Sequence, residues 1–533
     1  MLQKHKVPQQ NMTSKTGSSS DLVDSEGAYL GATLKHKNVL RRTINEDVGE
    51  EEPLLASDQP GKSPGTEREE GVTKSGAINI ATSMIVVSLA MASYSIFSDA
   101  MSQWIYVEFE NQVLGANASL INSTASNPCV KDNQTDLWAK ELDKAQSLAS
   151  RFSIYAMIVT LLPAFFTNLL LGIYADQIGR RILFLAPLIG LFIRAFVGFV
   201  VAFWKLSIYW NFVGMACIGL TGHLPAIFMG IYVYTADNTG HKKSRSFGMV
   251  IAQTAINVCF SLSHLAVGYF IDAKGYAWPM FTASVILAFC LVICYFFLKE
   301  TLETAKKTRK KTFTEGFKEV FSFYITKGKN SNYRRLDFSL LGLVFFLFST
   351  CLGVSIQSMF LMNEPLCWSS IKIGQVTTYQ GLLGAFTSLV LMKALQRCLS
   401  DDVICIVSLV SAAASRFVLA FAQYDWMIYV AYTVGMFELL LLPIIRAILS
   451  RMVPVNNRGS LFASVAVIEV ATFVVAGAGF DALYSFTVSF WHGLTYLVIA
   501  CCVSLATGLM ILFTVTVRKR HLTRVVDVQE VSE

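Results

Sequence analysis

Two sets of residues in this chain have types and spacing suited to chemistry. The first is Gly172-Ile-Tyr-Ala-Asp176-Gln-Ile-Gly179-Arg180-Arg181, a compact charged turn between two long apolar stretches. Gly172 and Gly179 permit close helix approach and a tight turn, Asp176 accepts hydrogen bonds and pairs with cations, and the arginines offer bidentate contacts. Such a cluster can lock two helix bundles reversibly. Together with Asp237, which ends a later apolar stretch, and Arg458-Gly-Ser460, which begins another, it is expected to form a gate. The second set is the ionisable side chains inside apolar stretches: Asp99, Arg194, His223, His264, Arg416, Glu438, Arg446 and Glu469. A charge in a bilayer is costly, so it is usually paired or directed into a cavity. Glu438, Glu469 and Asp99 are the carboxyls whose charged form a closed cavity would penalise, which is what proton coupling needs. His223 and His264 are read first as packing histidines, with titration near an acidic luminal pH as the alternative. A permanent ion pair of Arg446 with Glu438, about two turns earlier, is the structural alternative to a solute role.

The elements that must position these residues are membrane helices. Hydrophobic residues make up 53% of the chain and charged residues only 15%, which places it among integral membrane proteins. A spanning helix needs about 20 mostly apolar residues, and that criterion yields about twelve spans between Ala77 and Val515. Segments of this length exclude a closed barrel. The expected organisation is a cytosolic tail over residues 1–76, six helices over 77–298, a basic linker over 299–337, six more helices over 338–517, and a C-terminal tail over 518–533. The tail is polar and rich in Ser, Gly, Lys and Glu, which reads as disorder without a cleavable signal peptide.

Lysine and arginine fall on one set of connections, including Arg180/Arg181, Lys242/Lys243/Arg245, Lys393/Arg397, Arg451/Arg458 and Arg518-Lys-Arg520, so both termini are expected in the cytosol. The opposite face carries three glycosylation acceptors in one loop, Asn117, Asn122 and Asn133. The same loop holds Cys129, and Cys367 after span seven shares its oxidising side. A disulfide between them is the one exofacial pairing this topology offers, with free thiols as the alternative. In the tail, Glu50-Glu-Glu-Pro-Leu54-Leu55 has the form of an acidic di-leucine signal read by clathrin adaptors. No nucleotide-cradling glycine loop, metal-ligand cluster or nucleophile elbow is found, so no enzyme, metal, cofactor or nucleic-acid role is expected.

The hinge at Gly172–Arg181, the Tyr234-Thr-Ala-Asp237 end of span four, the Pro365-Leu-Cys367-Trp368 loop and Pro443-Ile-Ile-Arg446-Ala-Ile-Leu449-Ser450 resemble the major facilitator family that contains the proton-coupled folate transporter and its lysosomal and thymic relatives. The resemblance runs from about Ala77 to Val517. It implies an all-α membrane fold of twelve helices in two six-helix bundles around a central cavity, with alternating access by rocking. It implies that Cys129 and Cys367 pair. It also implies solute binding and proton coupling at Arg446, and Gln103 and Glu438 are expected to join it as solute-binding side chains. The family's coupling glutamate in span five falls at Gln253 here, and its span-seven histidine falls near Thr350, so any proton must use another carboxyl. The expected function is transport of small anionic or polar organic solutes with protons, in the endolysosomal or plasma membrane. A cell-surface folate importer and a non-transporting sensor are the alternatives.

Overall fold

The computed structural model describes residues 74–114, 136–239, 243–301, 313–325, 333–351, 357, 360–361, 365–368, 370–453, 457–487 and 491–532. Among these residues the regular structure is entirely helical. The first half runs through α1 (Lys74–Leu114), α2 (Asp136–Ile178), α3 (Ile182–Phe203), α4 (Asn211–Leu220), α5 (His223–Asn238), α6 (Lys243–Lys274) and α7 (Ala277–Phe297). A connecting helix α8 (Phe313–Ile325) follows. The second half contains α9 (Tyr333–Thr350), α10 (Ser370–Phe386), α11 (Met392–Cys398), α12 (Asp401–Ala420), α13 (Asp425–Val434), α14 (Leu441–Arg451), α15 (Arg458–Val474), α16 (Asp481–Thr487) and α17 (Leu494–Ser532).

Ten candidate spans are long and apolar enough to cross a membrane among the described residues. The seventh and eighth spans of the sequence reading correspond to α9 and to α10 with α11, which are joined by a π-helical turn at Thr387–Leu391. Helix bounds differ from the apolar bounds because backbone hydrogen bonding does not stop at the membrane surface. Thus α9 begins at Tyr333 rather than at residue 338, and α17 continues through the residues read as a C-terminal tail. The basic linker is likewise not plain chain. In α8, Gly316 packs so closely on Ile173 that a Cβ would lie 2.4 Å from its side chain, and Tyr324 Oη hydrogen-bonds Ser464 Oγ at 3.0 Å.

Among the described residues, three further spans are interrupted. Span four breaks between α4 and α5, where Gly222 has φ +95° and His223 has φ +56°. Pro225, which lacks an N–H, fits the first turn that follows. Span ten breaks between α13 and α14 through a 3-10 turn at Glu438–Leu440, and Pro443 occupies the matching position in α14. Span eleven passes from α15 into a π-helical turn at Val475–Phe480.

Each half builds its own core. Phe97, Met101, Leu188 and Tyr234 belong to the first, and Phe345, Trp368, Leu409 and Ile444 to the second. Ala447, Phe462, Ala463 and Ala466 of the second half join the first core, so the bundles meet along α14 and α15. Lipid gives helices no hydrophobic reason to associate, so small residues allow the close approach that packing requires. Gly172 shows this, because a Cβ there would lie 2.1 Å from that of Ala463.

Candidate functional site

At the charged end of the molecule, Asp176 at the end of α2 reaches across the bundle interface to the start of α15. Its carboxylate accepts hydrogen bonds from the backbone amides of Gly459 and Ser460, each at 3.0 Å, and from Ser460 Oγ at 3.3 Å. It thereby caps the free N–H groups of a helix in the other half, where the helix dipole also favours an anion. Arg180 Nη1 donates to Asp176 at 2.5 Å and Arg180 Nε to Asp237 at 3.1 Å. Arg458 Nη1 donates to Asp237 at 2.8 Å and to the Ala236 carbonyl at 2.9 Å, closing a ring of charges back onto α15. Burial works against the charge of Arg180, but the Asp176 and Asp237 carboxylates outweigh it and hold its pKa above the ordinary arginine value. Gly179 has φ +142°, and a Cβ there would lie 2.3 Å from the Glu300 carboxylate, which receives the amides of Arg180 and Arg181 at 2.7 and 3.2 Å. Arg181 itself donates to the Tyr295 carbonyl.

A second set of contacts closes the same end on the other flank. Ser246 Oγ donates to Asp401 at 2.5 Å, Arg451 Nη2 donates to Asp401 at 2.6 Å, and Arg245 Nη1 donates to the Ser450 carbonyl at 3.2 Å. Sequence reasoning missed Glu300 and Asp401 as partners and assigned Arg245 and Arg451 no partner. Their distance in sequence from the groups they meet left no local pattern to find.

Within the membrane, Arg446 on α14 pairs with Glu469 on α15. Its guanidinium lies over the rings of Tyr232 at 4.3 Å, Phe345 at 4.9 Å and Phe228 at 5.9 Å. Tyr232 and Phe228 belong to the first half, so this buried pair sits where the bundles meet. Glu438 does not pair with Arg446. It accepts from Arg416 Nη2 at 2.9 Å and from Gln380 Nε2 at 2.9 Å. The two-turn spacing assumed a continuous helix, whereas the 3-10 turn directs Glu438 toward α12.

Asp99 on α1 meets His264 Nδ1 on α6 at 2.5 Å, so His264 has a carboxylate partner besides its packing on Phe260. Gln103 is exposed on α1. Gln253 accepts from the Tyr232 hydroxyl and donates to Asn257 at 2.9 Å, and Thr350 donates to backbone carbonyls of its own helix. Cys367 is disulfide-bonded. Cys129, Asn117, Asn122, Asn133, Glu50, Leu54 and Leu55 lie outside the described residues. Among the described residues no group of His, Cys, Asp and Glu is placed to hold a metal.

Residues 83–346 match the family model of the Major Facilitator Superfamily. The proton-coupled folate transporter of Rattus norvegicus is 28% identical over 358 residues, covering 67% of this chain and 77% of that protein. A lysosomal proton-coupled steroid conjugate and bile acid symporter of Gallus gallus is 24% identical over 437 residues, covering 80% of this chain and 92% of its own length. Among solved structures, the human organic anion transporter MFSD10 superposes with a TM-score of 0.65 at 14% identity, over 82% of this chain and 99% of that one. The proton:xylose symporter XylE, bound to 6-bromo-6-deoxy-D-glucose, gives 0.58 at 17% identity over 82% and 96%. At these identities the structural likeness speaks to the fold.

Proposed function

The chain belongs to the major facilitator superfamily, and from that membership we propose that it is a proton-coupled secondary transporter carrying small anionic or polar organic solutes by alternating access of its two bundles. The Arg446–Glu469 pair carries this reading, because it is a buried, titratable ion pair in contact with aromatic rings of both halves. With Glu469 ionised, Arg446 is neutralised by its own neighbour. Protonation of Glu469 removes that counter-charge and leaves the guanidinium to hold an anionic solute, so that proton and solute bind together. The Asp176–Arg180–Asp237–Arg458 ring serves as the cytosolic gate that breaks and reforms in each cycle.

We place the protein in the endolysosomal membrane with both termini in the cytosol. The di-leucine at Leu54 and Leu55, the one-sided distribution of Lys and Arg and the lysosomal symporter among its relatives support this residence. The folate transporter relative makes a cell-surface folate importer the second reading, and Gln253 and Thr350 weigh against it. Uptake at acidic and neutral pH would test the proposal, with Leu54→Ala and Leu55→Ala introduced to bring the protein to the cell surface. The solutes would be labelled folate, a steroid sulfate, a muramyl dipeptide and a cyclic dinucleotide. Acid-stimulated uptake of one of them, lost in Arg446→Ala and pH-insensitive in Glu469→Gln, is the expected result. Unchanged pH dependence in Glu469→Gln would end the coupling assignment.

A further inference from the structure

Arg194 lies near the middle of α3, about 18 Å of helix from its start. Among the described residues no carboxylate is within ion-pair distance of it, and its Nη1 is fully enclosed without a hydrogen-bond partner. What it has is the face of Phe97 at 5.1 Å, with the phenol of Tyr94 and the ring of His223 as ionisable neighbours. Neither neighbour is anionic at neutral pH. Asp99, one turn beyond Tyr94 on α1, is taken by His264.

The backbone around this cation is incomplete in the same sense. At the break in span four the carbonyl side is satisfied from α2: Thr167 Oγ1 donates to the Leu220 carbonyl at 3.2 Å, and Asn168 Nδ2 to that of Gly222 at 2.8 Å. On the amide side the N-cap of α5 is Gly222, which has no side chain to offer the first amides. His223 also holds a left-handed backbone, and its Nδ1 is enclosed and unpartnered. Gly214 packs on the Arg194 backbone and Gly190 on Thr221, so α3 and α4 run side by side. A helical side chain leans toward its own N-terminus, which carries the Arg194 guanidinium from the level of Gly214 back toward the break. His223 in turn meets Phe473 of α15 edge to face at 6.3 Å, so the site borders the bundle interface.

We propose that Arg194, His223, Tyr94 and the start of α5 form a second oxyanion subsite, which takes a carboxylate or sulfate of the transported solute at the opposite end from Arg446. An enclosed guanidinium nitrogen without a partner, an unpaired ring nitrogen and a helix N-terminus whose cap residue is a glycine converge on one missing group, an anion with lone pairs to share. His223 and Phe228 are five residues apart on α5, about 7.5 Å of rise, and Arg446 lies over Phe228. The preferred solute is therefore an elongated dianion whose charges are at least about 7.5 Å apart. This rests on the transport reading and narrows its substrate class.

The test uses the full chain in lipid nanodiscs, with a rigid biphenyl dicarboxylate and the monocarboxylate lacking one acid group as probes, read as ligand-induced shifts of the thermal midpoint. The wild type is expected to bind the dicarboxylate at least tenfold more tightly than the monocarboxylate. Arg194→Gln should abolish that preference, bringing the dicarboxylate down to the affinity of the monocarboxylate, and His223→Ala should weaken it in the same direction. Equal binding of the two probes by the wild type, or an undiminished preference in Arg194→Gln, overturns the subsite. A dicarboxylate preference that depends on Arg194 in a protein without acid-stimulated uptake would keep the subsite and sink the proton-coupled reading.

Discussion

Each half of the molecule carries an arginine on its third span, packed beside a glycine of a broken fourth span, and the two halves treat it differently. A Cβ on Gly214 would lie 3.1 Å from Arg194 Cα, and one on Gly435 would lie 2.8 Å from Oγ of Ser415, the residue before Arg416. Three positions after each glycine stand Cys217 in one half and Glu438 in the other. In the second half Glu438 neutralises Arg416, and Gln380 holds the carboxylate from a third helix. In the first half Cys217 offers no charge and Arg194 is left with aromatic rings. The same architectural position thus holds a carboxylate partner in one bundle and, among the described residues, none in the other. At this pair of positions the difference lies in whether the chain itself supplies a fixed carboxylate, since breaking such a buried pair leaves an uncompensated charge.

This contrast is most open to challenge at Glu438. Glu438→Gln strands a buried guanidinium, a loss of about 3–5 kcal/mol, seen as a large fall in the thermal midpoint of the detergent-free protein. Next in size is the double change Arg416→Gln with Glu438→Gln, which should recover most of that loss, and a double-mutant cycle measures the coupling directly. If the single and double variants are equally unstable, the pair is not the closed counterpart of Arg194. Cys217→Glu sharpens the comparison from the other side. It should supply Arg194 with an internal partner and erase the dicarboxylate preference while leaving Arg194 in place. The smallest effect is expected for Arg194→Gln, within about 1 kcal/mol of wild type in stability, because no pair is broken. A fall comparable to that of Glu438→Gln would reveal a structural partner and remove the asymmetry.

The charged cluster proposed as the gate was largely legible as chemistry before its contacts were visible as geometry, since glycine, carboxylate and guanidinium at close spacing limit what a turn can do. Asp176, Gly179 and Arg180 are local in sequence and could be read together. Glu300 could not be read this way, because it reaches Arg180 across 120 positions and looks like one more charge after a span. The pair with Glu438, weighed as the structural alternative for Arg446, does not form, for a different reason. Helical periodicity places Glu438 on a nearby face only if span ten is continuous, and a local 3-10 turn undoes that geometry. His264 was read as packing because nothing on α6 announces a carboxylate on α1.

By itself the sequence determined that this is a helical membrane protein in two halves, with a charged hinge on one face and ionisable residues inside the spans. Length, hydropathy and charge asymmetry are properties of each segment and need no neighbour to be expressed. Only the tertiary structure decided which charges are neutralised. The ion-pair geometry depends on helix breaks at Gly222 and Glu438 and on contacts between spans distant in the chain, and small residues at those contacts set how close the helices come. Arg416 and Arg194 are the same type of residue at matching places in the two halves, and only their packed surroundings give the first a carboxylate partner and leave the second with aromatic rings.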